Sequence, residues 1–304
     1  MTQEKFRLVT RSDFDGLVCA VLLSELQLID DIQFVHPKDM QDGKIAISKR
    51  DITTNLPYIP DAHLVFDHHF SETLRNSNRA SNHIIDPTAP SAARVVYDYY
   101  GGRQAFPTIA DDISDAAQFS HQEILDPDGW VLLNYLMDAR TGLGRFRNFR
   151  ISNYALMMEL IDACRRHDIA TILQLPDVKE RVELYFEQSD KAKEQIRRCT
   201  RVYQKLAVLD LRQEETIWAT NRFMIYALFP ETNLSIHALW GVQKQNTVFA
   251  TGKSILDRSC QINIGWLMLE YGGGGHHAAG TCQVDNDQAA SILQELIERI
   301  NAEG

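Results

Sequence analysis

The chain has 304 residues, 44% of them hydrophobic and 24% charged, with a formal charge of −10 at pH 7. That length suits two domains rather than one core. No run approaches the roughly 18 uncharged apolar residues of a membrane-spanning helix, no signal-peptide-length apolar stretch opens the sequence, and the acidity disfavours long duplex DNA.

The five cysteines are far apart and form no C-x-x-C pair. That spacing argues against a zinc ribbon or a disulfide scaffold and fits a cytoplasmic protein with no membrane partner.

In chain order, "KFRLVT" (5–10) predicts a strand and "GLVCAVLLSELQLI" (16–29) a helix. Further strands are predicted at 32–36, 45–48 ("IAIS") and 63–67, and helices at 91–101, 109–120, 129–139 and 153–167. Short apolar strands alternating with amphipathic helices imply an α/β fold built on a parallel sheet. Residues 178–205 are charge-rich and lack Gly and Pro, which predicts one long exposed helix joining two domains. Strand-like runs follow at 205–211, 222–229, 234–242 and 247–253. A helix at 261–271, a glycine run, a last strand and a helix at 287–302 complete a smaller α/β domain. The expected division is 1–177, a connecting helix 178–205, and 206–304.

Several constellations carry candidate chemistry. Asp13 and Asp15 in "SDFDG" follow a strand, where open α/β sheets place their sites, and a cation between the carboxylates would relieve their repulsion. The plainer alternative is a helix cap with Gly16 easing the turn. Asp67, His68 and His69 end the apolar run "LVF". Imidazole is a common neutral metal ligand and a neighbouring carboxylate sets its tautomer, although a polar strand end looks the same in sequence. Asp51 follows the 45–48 run and suits either a cation-bridging carboxylate or a turn. Asp115 and Asp138 both sit among apolar residues and compete for one further ligand position.

Arg140, Arg145, Arg147 and Arg150 fall close together with Phe146 and Phe149 between them. Guanidinium forks suit phosphate and the rings suit base stacking, while a solvated loop anchored by the phenylalanines is equally compatible. In "YGGGGHHAAGTC" (271–282), Gly273, Gly274 and Gly275 would let the backbone N–H groups approach an anion, with His276 beside them.

D-x-D-G at 13–16, Asp51, D-H-H at 67–69, Asp115 and G-G-G-H-x-x-A-G at 273–280 together resemble the DHH phosphoesterase superfamily with its DHH-associated C-terminal domain. This superfamily includes nanoRNases, bisphosphonucleotide phosphatases and exopolyphosphatases. The resemblance spans nearly the whole chain. It implies two Mn²⁺ or Mg²⁺ ions, the first held by Asp13 and Asp51, the second by Asp15, Asp51, His68 and Asp115. Asp67 would support the histidines, His69 would face the phosphate, and a metal-activated water would attack phosphorus. His276 with the glycine backbone, Lys253 and Ser254 would bind substrate from the second domain, with a cleft between domains as the active site. Relatives place a His or Asp ligand just before D-x-D, where this chain has Val9 and Arg11. The first metal site is therefore expected to be one ligand short, and either weakened or replaced in part by water or by the Arg11 guanidinium acting on phosphate.

The expected activity is hydrolysis of short oligonucleotides, dinucleotides or bisphosphonucleotides, with a homodimer expected by resemblance. A phosphoanhydride hydrolase acting on pyrophosphate or polyphosphate, and a non-catalytic nucleotide sensor, are the competing readings.

Overall fold

The computed structural model describes residues 5–69, 72–73, 80–107, 119–145 and 149–303. These divide into two compact units. The first comprises 1–118, 128–139 and 143–183, and the second 119–127, 140–142 and 184–304. Among the described residues no helix is long and apolar enough to cross a membrane.

The first unit is built on a five-stranded sheet of β1 (Phe6–Arg11), β2 (Ile29–Val35), β3 (Asp51–Thr54), β4 (Leu64–Asp67) and β5 (His83–Ile85). All neighbouring pairs run parallel, in the order β2-β1-β3-β4-β5. A parallel sheet needs cover on both faces, so its central strands bury side chains on both sides. Leu8, Val9, Ile52, Val65 and Phe66 are accordingly buried. The helix Phe14–Glu25 is apolar on every side and buries Leu17 through Leu23. Burial of each of its leucines and valines is worth about 1.5–3 kcal/mol, which makes this helix central to the core. Asp13 caps it by accepting from Gly16 N at 3.0 Å. A Cβ on Gly16 would lie 1.9 Å from Arg11 O. Only glycine allows the helix to start that close to the end of β1.

The second unit holds a six-stranded mixed sheet in the order β10-β11-β9-β8-β7-β6. Its strands are β6 (Thr200–Tyr203), β7 (Leu206–Asp210), β8 (Leu234–Trp240), β9 (Thr247–Lys253), β10 (Gly274–His276) and β11 (Ala279–Val284). Leu206, Ile236, Phe249, Met268 and Leu296 form part of its core.

Several elements differ from expectation. The 45–48 run is not a strand, and β3 starts at Asp51 instead. The sequence Ile-Thr-Thr is β-branched and pairs with both β1 and β4, which outweighs the apolar appeal of Ile45 and Ile47. Those two isoleucines, partly buried, pack against the cluster of Val9, Val35, Met40 and Leu56. The long helix spans Pro176–Cys199, and residues 200–203 leave it to pair antiparallel with β7. Its face is far from exposed, since Val178, Arg181, Tyr185, Gln188 and Ala192 are all buried. The strand-like run at 222–229 contains the short helix Met224–Leu228. The glycine run itself continues into the edge strand β10, ahead of β11. The predicted helix at 109–120 lies almost wholly outside the described residues.

Candidate active site

Parallel strands deliver their carboxyl ends to one edge of the sheet, and the first unit gathers its reactive groups there. Arg11 ends β1, Asp13 and Asp15 follow it, Asn55 follows β3, and Asp67 ends β4 with His68 and His69 just beyond. Thr54 Oγ1 donates to Thr10 Oγ1 at 2.6 Å, and Thr10 Oγ1 donates to Thr54 O at 3.2 Å. This buried pair pins the tips of β1 and β3 side by side.

Asp13 is heavily engaged. Arg11 Nε lies 2.9 Å from its Oδ2, and Asn55 Nδ2 donates to both oxygens at 3.2 and 3.4 Å. Asn55 holds a left-handed backbone conformation (φ 56°), which asparagine tolerates better than most residues. Asp15 accepts from Ala92 N at 3.0 Å and Ala93 N at 2.8 Å, the first turn of the helix Ala92–Tyr99. Burial pushes the Asp15 carboxyl up from its ordinary range, against the downward pull of His68 and with a further push from Asp13. His68 Nε2 stands 3.8 Å from Asp15 Oδ2.

Asp67 is fully buried. Its Oδ1 accepts from His68 N at 2.8 Å and His69 N at 3.3 Å, and lies 2.6 Å from His69 Nδ1. That contact places the His69 proton on Nδ1. Burial alone would lower the His69 pKa, but the hydrogen bond and charge of Asp67 outweigh it and the net direction is upward.

Asp51 is not brought to this edge. It begins β3, four residues from Asn55, and a strand rises about 3.3 Å per residue. It lies at the opposite end of the sheet, where Arg7 Nε meets its Oδ1 at 2.6 Å and Ser48 N and Oγ donate to Oδ2 at 2.6 and 3.0 Å. The error came from reading 45–48 as the strand. Asn55 is the residue that stands at the tip instead, and the β-branched run just before it was the available signal. Asp115 lies outside the described residues, as do Phe146 and Arg147. Asp138 caps the end of the helix Gly129–Met137.

The donors suit a hard divalent cation in part. The tips offer carboxylate oxygens and an imidazole, the chemistry that Mn²⁺ and Mg²⁺ accept. Asp67 Oδ2 and Asn55 Oδ1 are buried with no hydrogen-bond partner, and a cation would satisfy such oxygens. Among the described residues, no three His, Cys, Asp or Glu side chains form a complete metal-holding group.

The arginine-rich segment is divided. Arg140 belongs to the second unit and Arg145 to the first, and both are exposed. Arg150 is paired with Asp177, its Nε 2.8 Å from Oδ1, and Phe149 lies 4.0 Å beneath the buried Arg181 guanidinium. Both therefore have structural partners rather than an open stacking face.

In the second unit, Lys253 ends β9 and its Nζ lies 3.3 Å from His277 Nδ1. Lys253 Nζ also donates to Cys260 O at 3.0 Å. Burial, then the Lys253 charge, lowers the His277 pKa. His276 is exposed on β10. Ser254 is buried, and its Oγ accepts from Leu256 N and Asp257 N, so it caps a turn. His277, rather than Ser254, is the side chain that joins Lys253.

The glycines serve close packing. A Cβ on Gly273 would meet Thr281 O at 2.1 Å, and one on Gly275 would meet Ala279 O at 2.3 Å. Gly274 has nothing within 4 Å. Gly273→Ala is therefore expected to destabilise the protein by about 1–3 kcal/mol, as overpacking does, while Gly274→Ala is nearly neutral. Thermal melts of the two variants side by side check this, and equal melting temperatures would refute it.

No protein-family model and no curated protein sequence matches the chain. Among solved structures, the pGpG-specific phosphodiesterase PggH from Vibrio cholerae is 63% identical, with a TM-score of 0.85. That match covers 99% of this chain and 100% of the other. An exopolyphosphatase-related protein from Bacteroides fragilis is 12% identical, over 97% of this chain and 92% of that one, with a TM-score of 0.56. RecJ from Thermus thermophilus, in complex with Mn²⁺, is 13% identical over 99% of this chain and 52% of that one, with a TM-score of 0.54. The two distant likenesses concern the fold alone.

Proposed function

This chain belongs to the DHH superfamily of phosphoesterases, and we propose that it is a divalent-metal-dependent phosphodiesterase whose substrate is pGpG. The observation that carries this reading is the 63% identity, over essentially the full length of both chains, with a pGpG-specific phosphodiesterase. Hydrolysis of the internal phosphodiester of pGpG breaks one P–O bond, consumes one water and yields two GMP.

Asp15 and His68 would hold a Mn²⁺ or Mg²⁺ ion, with Asp115 as a further candidate ligand. When bound, such an ion supplies Lewis-acid stabilisation of charge on the phosphoryl oxygens. The chain's own groups do the rest. Arg11 carries a permanent positive charge at the strand tips, suited to a phosphate oxygen. Asp67 orients His69 and favours its protonated form, which can donate to a phosphoryl oxygen. Lys253, His277, His276 and the backbone of Gly273, Gly274 and Gly275 form the candidate phosphate-binding group of the second unit. Arg140 and Arg145 remain candidate substrate contacts. A cytoplasmic homodimer is part of the same proposal.

The test is nucleotide release from pGpG, pAp, pApA, pyrophosphate and polyphosphate with Mn²⁺, Mg²⁺ or chelator, beside His68→Ala. GMP release from pGpG that needs metal and His68 is the expected result. Preferential cleavage of pyrophosphate or polyphosphate, or no release under any metal, overturns the reading.

A further inference from the structure

We infer that this chain holds one divalent cation at the strand tips, not two, because Arg11 and Asn55 fill the first position with a guanidinium and an amide. The inference rests on the phosphoesterase reading and deepens it.

The resemblance implies a first ion held by Asp13, by Asp51 and by a residue just before D-x-D. Here the residue two before Asp13 is Arg11, whose Nε lies 2.9 Å from Asp13 Oδ2. The β3 tip carries Asn55, whose Nδ2 donates to both Asp13 oxygens. Asp51, the nearest β3 carboxylate, is committed to Arg7 and Ser48 at the far end of the strand. Asp13 Oδ1 also accepts from Gly16 N at 3.0 Å. A cation at this position would have to displace three donors, one of them permanently charged, and would gain one carboxylate and the neutral Asn55 amide oxygen.

The second position is different. Asp15 Oδ2 and His68 Nε2 stand 3.8 Å apart, near enough to share an ion. Arg11 then supplies, as a fixed guanidinium, the positive charge that a first ion would bring. Guanidinium also offers phosphate a planar fork that a spherical ion lacks.

The experiment is Mn²⁺ titration of the full, chelator-stripped chain, with bound metal counted and its spin-resonance spectrum recorded without substrate. The expected result is about one Mn²⁺ per chain with the six-line spectrum of an isolated ion. Two ions with an exchange-coupled spectrum overturn the inference, and so does no binding. A double variant, Arg11→Asp with Asn55→Asp, is expected to take up about one further ion. If that variant keeps its native circular dichroism and still binds one, Arg11 and Asn55 are not what excludes the first ion. Because no substrate is present, failure here is separate from failure of the pGpG assay.

Discussion

Replacement of Asp67 by asparagine is expected to lower pGpG turnover by about 10²–10⁴-fold, the range associated with losing a positioned acid–base group. Asp67 is held tightly at the strand tips through one of its oxygens. It ends β4, is fully buried, and collects two backbone N–H groups and the His69 ring on one oxygen. Asparagine has nearly the same shape but no charge. It therefore removes the attraction that outweighs burial and keeps the His69 pKa above its ordinary value. The imidazole is then protonated only at lower pH, so the alkaline limb of the pH–rate profile is expected to move down. The stability linkage has the same sign. With the folded pKa raised, protonated His69 stabilises the native chain below the ordinary histidine range, and this contribution fades as pH rises through the folded value. Steady-state kinetics across pH, paired with histidine NMR titration of the variant, measures both effects. Turnover within threefold of the native protein, or an unmoved His69 titration, would remove Asp67 from its proposed role.

Arg7→Ala is expected to cost about 3 kcal/mol of stability, at the low end for breaking a buried ion pair. The low end applies because the Arg7 side chain is 26% exposed while that of Asp51 is 2%. Without Arg7, the Asp51 carboxylate stays buried with only Ser48 to satisfy it. Burial works against the charged Asp51, yet Arg7 and Ser48 together bring its pKa below the ordinary aspartate range. The stabilisation is therefore present above that ordinary value and is lost as acid titrates the folded carboxylate. Urea denaturation at neutral and acidic pH reads the difference, which should shrink as pH falls. Mn²⁺ binding of the folded variant should be unchanged, because Asp51 lies about 13 Å along β3 from Asn55 by strand rise. A variant as stable as the native protein, or one that loses metal, would contradict this placement of Asp51.

Much of the parallel-sheet unit was legible in sequence. β1, β2 and β4 fall where short apolar runs stand between turn residues, and the helix Phe14–Glu25 follows from an apolar stretch behind a capping aspartate. The D-H-H triplet could be placed at a strand tip because Val65 and Phe66 must be buried before it. The Met224–Leu228 helix was not legible, since a short, wholly apolar run has no period that separates helix from strand. That Gly273 and Gly275 lie in close contact with β11 was not legible either, since a glycine run carries no mark of its packing partner.

The sequence by itself determined which groups are available, and in what order: Arg11, Asp13, Asp15, Asp67, His68 and His69, each at or just beyond the end of an apolar run. Only the tertiary structure decided which part of β3 joins them. Hydrogen-bond register pairs Arg7 with Asp51 and Thr10 with Thr54. In a parallel sheet that register carries every strand's carboxyl end to the same edge, so Asn55 arrives at the site and Asp51 is carried away from it. A single sequence has no local mark for register when two neighbouring β-prone runs, 45–48 and 51–54, compete for one strand position, and the pairing partners settle it.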